Sequence, residues 1–222
     1  MFRIVTIERE FGSGGGRVAC ELARRLGWKL WDQQLTSEIA KRAQVPESAV
    51  ALCDERLDGR LYRFAKAFWR GSYERSMPLA ASDAFDADRM MAMVGEIMRT
   101  IAAEGNAVIV GRGSPFLLRE REDTFRVFTY APHDEKIRRL VAMGKSREEA
   151  KDLVENVDKE RIAYIKHYFN ADWPMRALYH LMINTVVGDE NVIATILNGM
   201  KTLEAQTGQA ALRGVESRRD SR

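Results

Sequence analysis

Residues 12–16, Gly-Ser-Gly-Gly-Gly, place four glycines in five positions, and that composition suits one kind of chemistry, the binding of an anion. Without Cβ atoms, successive backbone N–H groups can turn inward on a phosphate. A helix starting behind them would add unpaired N–H groups and the positive end of its dipole. The flanking residues supply that setting. Ile4-Val5-Thr6-Ile7 reads as a short strand, and Val18, Ala19, Leu22, Ala23 and Leu26 fall on one helical face. A tight strand-to-helix turn needs fewer glycines than this. Gly12, Ser13, Gly14, Gly15, Gly16 and Arg17 are therefore the candidate phosphate-binding residues.

The loop departs from the GxxxxGK[ST] pattern, in which a lysine meets the β/γ-phosphates and a hydroxyl meets Mg²⁺. Aligned on Gly16-Arg17, the chain has Arg17 for the lysine, Val18 for the hydroxyl residue and Phe11 for the first glycine. Aligned on the helix, Gly15 takes the lysine position, and again no Ser or Thr meets the metal. Arg9, Arg17 and Arg161 are the cations that could replace the missing charge.

Further elements must hold this loop. Trp28 to Trp31 reads as a second strand, ending at Asp32. Residues 59–104 read as almost wholly helical with a break near Met77-Pro78, and their methionine-rich stripe from Met90 to Ile101 reads as packing surface. Ala107-Val108-Ile109-Val110 suits the buried centre of a parallel sheet, and Gly111-Arg112-Gly113 follows at once. Phe125 to Tyr130 and Leu181 to Thr185 read as the fourth and fifth strands. Ser146 caps a charged helix over about 147–169. The expected fold is α/β: a doubly wound five-stranded parallel sheet with a helical insertion and a helical lid. A single domain is expected over 1–205, with the insertion at 36–104, the lid-like segment at 146–175 and a flexible polar tail over 206–222.

Composition narrows the function classes. The chain has 222 residues, 45% hydrophobic and 30% charged, which is ordinary for a globular domain. A net charge of +3 argues little for nucleic acid, which only Arg213, Arg218, Arg219 and Arg222 in the tail would favour. Cys20 and Cys53 have no metal-site spacing. No apolar run spans a bilayer and no signal peptide is visible, so a cytoplasmic location without membrane partners is expected.

Five blocks in order resemble the cytidylate kinase-like family. They are Ile4 to Gly15, Leu30-Trp31-Asp32, Val108 to Gly113, Asp158 to Lys166, and Asp172-Trp173-Pro174 leading to Tyr179 and Leu181 to Thr185. The resemblance covers residues 4 to about 200. It implies a P-loop kinase fold, ATP at the glycine loop and a CMP-like nucleotide at the insertion. Asp32 matches an aspartate beside the monophosphate site, and Arg112 an arginine facing the acceptor. Arg161 falls where lid arginines reach over the transferred phosphoryl group, with Lys166 a weaker partner. Orthodox members also carry a metal-holding acid near the end of the third strand, where this chain has Val110 or Gly111.

Two readings follow. In one, the protein transfers phosphate from ATP to a nucleoside monophosphate or similar small acceptor. Arg17 and Arg161 are then catalytic, Asp32 and Arg112 hold the acceptor, and Mg²⁺ is held mainly by nucleotide phosphates. In the other, a nucleotide-binding regulator has kept the fold and lost the chemistry.

Overall fold

In the computed structural model, residues 1–32, 35, 38, 41 and 87–219 are described, for 87–90 and 207–219 as backbone only. Strand β1 (Ile4–Arg9) enters helix α1 (Gly15–Leu26) through the glycine loop, and β2 (Lys29–Trp31) follows. Helix α2 (Ala87–Glu104) leads into β3 (Ala107–Val110), the short α3 (Ser114–Leu117) and β4 (Thr124–Tyr130). Then come α4 (His133–Ala142), α5 (Arg147–Phe169), β5 (Leu181–Asn184) and α6 (Asp189–Arg219). The strands form one sheet in the order β2-β3-β1-β4-β5, every pairing parallel.

Alternation along the strands decides what covers each face. Val5, Ile7, Val108, Val110, Phe125 and Val127 pack against α1 and α6 through Val18, Leu22, Val192, Ile193 and Ile196. Ile4, Ala107, Ile109 and Phe128 pack on the other face with α2 and the end of α5, through Val94, Ile97, Met98, Tyr164 and Ile165. This is the doubly wound arrangement expected from the sequence. The stripe of α2 is packing surface, with Met98 fully buried. A third cluster joins α4 to the first half of α5 and reaches Phe11 at the mouth of the loop.

Local signals set several boundaries. Gly27 ends α1 at φ 65°, and its N–H returns to the carbonyls of Ala23 and Arg24. Ser146 caps α5, its hydroxyl accepting from Glu149 N at 3.1 Å. Strand β1 runs two residues beyond its apolar stretch, because Glu8 and Arg9 continue the register with Phe128 and Thr129 of β4. That extension carries two charged residues to the carboxyl edge of the sheet.

The reading of helix over 59–104 holds where it falls on α2, while its earlier part and most of the insertion lie outside the described residues. Helix α6 continues past Gly208 to Arg219, where the sequence suggests an unpatterned tail. Ala210, Ala211 and Leu212 favour helix there even without an apolar stripe. Helix α5 is no free projection. Val154 and Val157 face α4, while Tyr164 and Ile165 enter the main core.

His180 offers a test of how the sheet edge is tied. Its Nδ1 accepts from Arg126 N at 2.9 Å, and its ring stacks on Phe125 with centroids 5.3 Å apart. Burial holds its pKa below the ordinary value, and the Arg126 guanidinium adds to the effect. A depressed folded pKa means that the unfolded chain takes up the proton first as pH falls. The stability His180 contributes is therefore complete above its unfolded pKa of about 6.5 and declines as pH drops through and below that value. The urea midpoint of the wild type is expected to fall between pH 7.5 and 5.5, and to fall less in His180→Asn. Equal pH dependence of the two proteins would remove His180 as the cause.

Candidate nucleotide and phosphoryl site

The glycine loop takes the shape an anion site requires. Gly12 and Gly14 adopt φ of 74° and 83°, a conformation that residues with a Cβ rarely adopt. Gly14 caps α1, so the first helical N–H groups point out of the helix without intrahelical acceptors. Among the described residues, no acceptor takes the N–H of Gly14, Gly15 or Gly16. The Ser13 carbonyl, by contrast, is engaged. It accepts from Arg139 Nη1 at 2.5 Å and from Thr185 Oγ1 at 2.6 Å, linking the loop to α4 and to the end of β5.

Beside the loop, the carboxyl ends of β1 and β3 and the middle of α5 bring three arginines together. Arg9, Arg112 and Arg161 are all buried. Arg161 Nη1 donates to the Arg9 carbonyl at 2.8 Å and to Asp158 Oδ1 at 2.8 Å. Arg112 sits just past β3 at φ 63°, a strained conformation for a residue with a side chain. Burial pushes its pKa down to about 10; Asp32 opposes that shift, and Arg9 and Arg161 reinforce it. Burial likewise lowers Arg9, with Arg161 adding to the effect and Asp32 and Glu8 opposing it. The Glu8 carboxyl is raised by burial and held back by Arg9 and Arg161. These shifts describe one shared electrostatic field at the sheet edge, where ligands of open parallel sheets bind.

Helix α5 is locked to the loop by the same group. Phe11 N donates to both Asp158 oxygens, at 2.9 and 3.2 Å. Lys136 of α4 reaches Glu10 at 2.9 Å and lies 3.9 Å from Asp158. Because both partners are largely shielded from water, the Asp158–Arg161 pair is no weakly coupled surface pair of the kind the i,i+3 spacing alone suggests.

The structure thus gathers Gly12 to Gly16, Arg112 and Arg161, with the charge of Asp32 acting on Arg9 and Arg112. The two remaining expected residues differ. Arg17 is two-thirds exposed and pairs with Asp189 at 3.4 Å, but its guanidinium borders the loop, 3.2 Å from where a Cβ on Gly14 would lie. Lys166 lies on the exposed side of α5, 3.8 Å from Asp172. Lys136 and Arg139 are two site residues that the sequence analysis does not single out; they follow a strand, where charged helix residues are common. The available signal was their i,i+3 spacing, which puts both on the side of α4 facing the loop while Arg138 points to solvent.

For Mg²⁺ the donor set is thin. The end of β3 offers Val110 and Gly111, and among the described residues no cluster of three or more His, Cys, Asp or Glu could hold a metal. No helix among them is long and apolar enough to cross a membrane.

A parallel β2-β3-β1-β4-β5 sheet with a glycine loop after its central strand and arginines at its carboxyl edge defines a P-loop kinase-like nucleotide-binding fold. The chain belongs to the cytidylate kinase-like family, whose sequence model matches residues 4–186. Among solved structures, an uncharacterized protein from Eubacterium ventriosum is similar at 22% identity and a TM-score of 0.66, over 91% of this chain and 99% of that one. Shikimate kinase from Acinetobacter baumannii, in complex with shikimate, is similar at 15% identity and a TM-score of 0.52, over 91% and 94%. Likenesses at these identities concern the fold. No curated protein matches the chain at a significant level.

Proposed function

We propose that the protein binds ATP at Gly12–Gly16 and transfers its terminal phosphoryl group to a nucleoside monophosphate or a similar small acceptor. The observation that carries this reading is the meeting of two anion-directed features at one sheet edge. One is a loop with outward N–H groups; the other is a set of three buried arginines from β1, the end of β3 and α5. Phosphoryl transfer depends on positioning and charge neutralisation more than on a nucleophilic side chain, so this equipment suits it. ATP supplies the phosphoryl group. The loop N–H groups hold its phosphates, and the Arg139–Ser13 bond keeps them aimed.

Arg112, with Asp32 nearby, orients the acceptor, because a guanidinium recognises phosphate through two parallel bonds. Arg161, fixed by Asp158 and the Arg9 carbonyl, faces developing charge from the α5 side. Arg17, whose guanidinium borders Gly14, can turn further onto the phosphates by leaving Asp189, a weak exposed pair that costs little to break. Mg²⁺ would be held by the phosphates and water, with no acid at the end of β3. The lid role assigned to 146–175 becomes, in this arrangement, that of a wall closing the site.

A second reading has a specific observation behind it. With the register set by the start of α1, Gly15 stands where an orthodox loop has its lysine, and Val110 or Gly111 where an orthodox third strand has its acid, as in a regulator that binds nucleotide without turning it over. One assay separates the two. A panel of nucleoside monophosphates is incubated with ATP and Mg²⁺, with ADP formation coupled to an optical readout, beside a direct ATP titration. ADP formation with at least one acceptor is expected. Binding without turnover across the whole panel would leave the regulator reading standing and remove the kinase one.

A further inference from the structure

Two glycines that mark the departures from an orthodox loop are both explained by one side chain. Gly15 is the first residue of α1, directly after the Gly14 cap, where a loop lysine would stand. A Cβ built there would lie 2.4 Å from Thr129 Oγ1, 2.9 Å from Arg9 Cβ and 3.2 Å from Arg9 Cδ. No side chain fits, because the stem of Arg9 and the Thr129 hydroxyl fill the space. Gly111 directly follows β3 and, with Val110, is one of the two residues where an orthodox chain has its metal-holding acid. A Cβ there would lie 2.5 Å from Arg9 Nη1 and 3.6 Å from Arg9 Cζ. Arg9 therefore runs from the start of α1 to the end of β3, across both vacated positions.

We propose that Arg9, from the end of β1, takes over the work of the missing loop lysine and contacts the terminal phosphates of the nucleotide bound at Gly12–Gly16. This rests on the nucleotide reading above and says which residue completes it. A purely structural ion pair with Glu8 and Asp32 is the competing account of Arg9. The two accounts differ in what the guanidinium meets. The Arg9 stem fills the place of a loop lysine and its head lies past β3. There burial and Arg161 disfavour its charge, while Asp32, Glu8 and Asp158 support it. Clustered like charges are costly unless an anion joins them. A polyphosphate on the loop is an anion suited to that place. The substitution also changes the chemistry. A lysine offers a mobile point charge, whereas a buried guanidinium offers several donors in a fixed plane, here pinned by the bond from Arg161 to its own carbonyl.

The test compares ATP, ADP and AMP by calorimetric titration against wild type, Arg9→Met and Arg9→Lys, with a thermal melt of each protein. A terminal-phosphate contact predicts that Arg9→Met loses roughly ten- to a hundredfold in affinity for ATP and ADP, the worth of a charge-assisted hydrogen bond. Its AMP affinity should stay within about twofold, since AMP lacks those phosphates. Arg9→Lys should fall between the two in its ATP-to-AMP ratio. Loss of AMP and ATP affinity in equal proportion would show a structural effect and overturn the proposal, as would unchanged ATP affinity in folded Arg9→Met. If Arg9→Met does not fold, Arg9→Lys decides alone, and a wild-type ATP-to-AMP ratio there is the overturning result. Wild type that binds none of the three removes the nucleotide reading and this proposal together. Nucleotide binding indifferent to Arg9 removes only the proposal.

Discussion

Arg161→Ala is expected to lower the unfolding free energy by about 3–5 kcal/mol, the cost of stranding one half of a buried ion pair. The substitution removes two bonds of 2.8 Å, one to Asp158 and one to the Arg9 carbonyl, at a side chain only 8% exposed. Asp158 would keep Phe11 N, but Lys136 at 3.9 Å is too far to replace the lost partner. Urea denaturation of wild type and variant at neutral pH gives the difference directly. If Arg161 also faces the phosphoryl group, kcat in the folded fraction should drop by roughly a thousandfold or more while nucleotide affinity changes far less. A midpoint equal to wild type would mean that α5 does not clasp the loop in solution. A destabilised variant with intact kcat would leave Arg161 as a positioning residue for Arg9 and Asp158.

Gly15→Ala and Gly16→Ala should move the protein in opposite directions, although the residues are neighbours in the same helical turn. At Gly15 the added methyl meets Thr129 and the Arg9 stem well inside contact distance. Overpacking of that kind costs about 1–3 kcal/mol, and displacing Arg9 should carry most of the ATP affinity with it. At Gly16 the methyl meets nothing within 4 Å. Alanine in a helix is favoured over glycine by about 0.5–1 kcal/mol, so Gly16→Ala should stabilise the fold and keep its backbone donor. Thermal melts and an ADP titration on the two variants make the comparison. Similar behaviour of both would contradict the packing around Arg9. Gly14→Val should also destabilise the loop. Its φ of 83° is strained for valine, and the new Cβ would meet the guanidinium groups of Arg17 and Arg139 at 3.2 Å.

Strands, loop and caps were legible in the sequence because they depend on near neighbours. Four β-prone residues, a glycine cluster and a helical stripe place β1, the loop and α1 with no knowledge of the rest. Gly27 and Ser146 end and begin their helices through bonds to residues three to four positions away. The apolar run Ala107 to Val110 announces a central strand by being buried on both faces. The identity of the site's working charges depends on what packs against them, and that is not written locally. Glu8 and Arg9 look like the polar end of a strand until pairing with β4 draws them under the sheet edge. Arg161 and Lys166 lie five residues apart on one charged helix. One is buried against a carbonyl 152 positions earlier, while the other stays in solvent beside Asp172. Arg138 and Arg139 are adjacent, yet only Arg139 reaches Ser13, 126 positions away. A charge on a helix face is solvated by default, and its removal from water is tolerated only where a distant partner waits. The sequence therefore determined where the glycine loop stands, and the tertiary structure decided which cations stand around it.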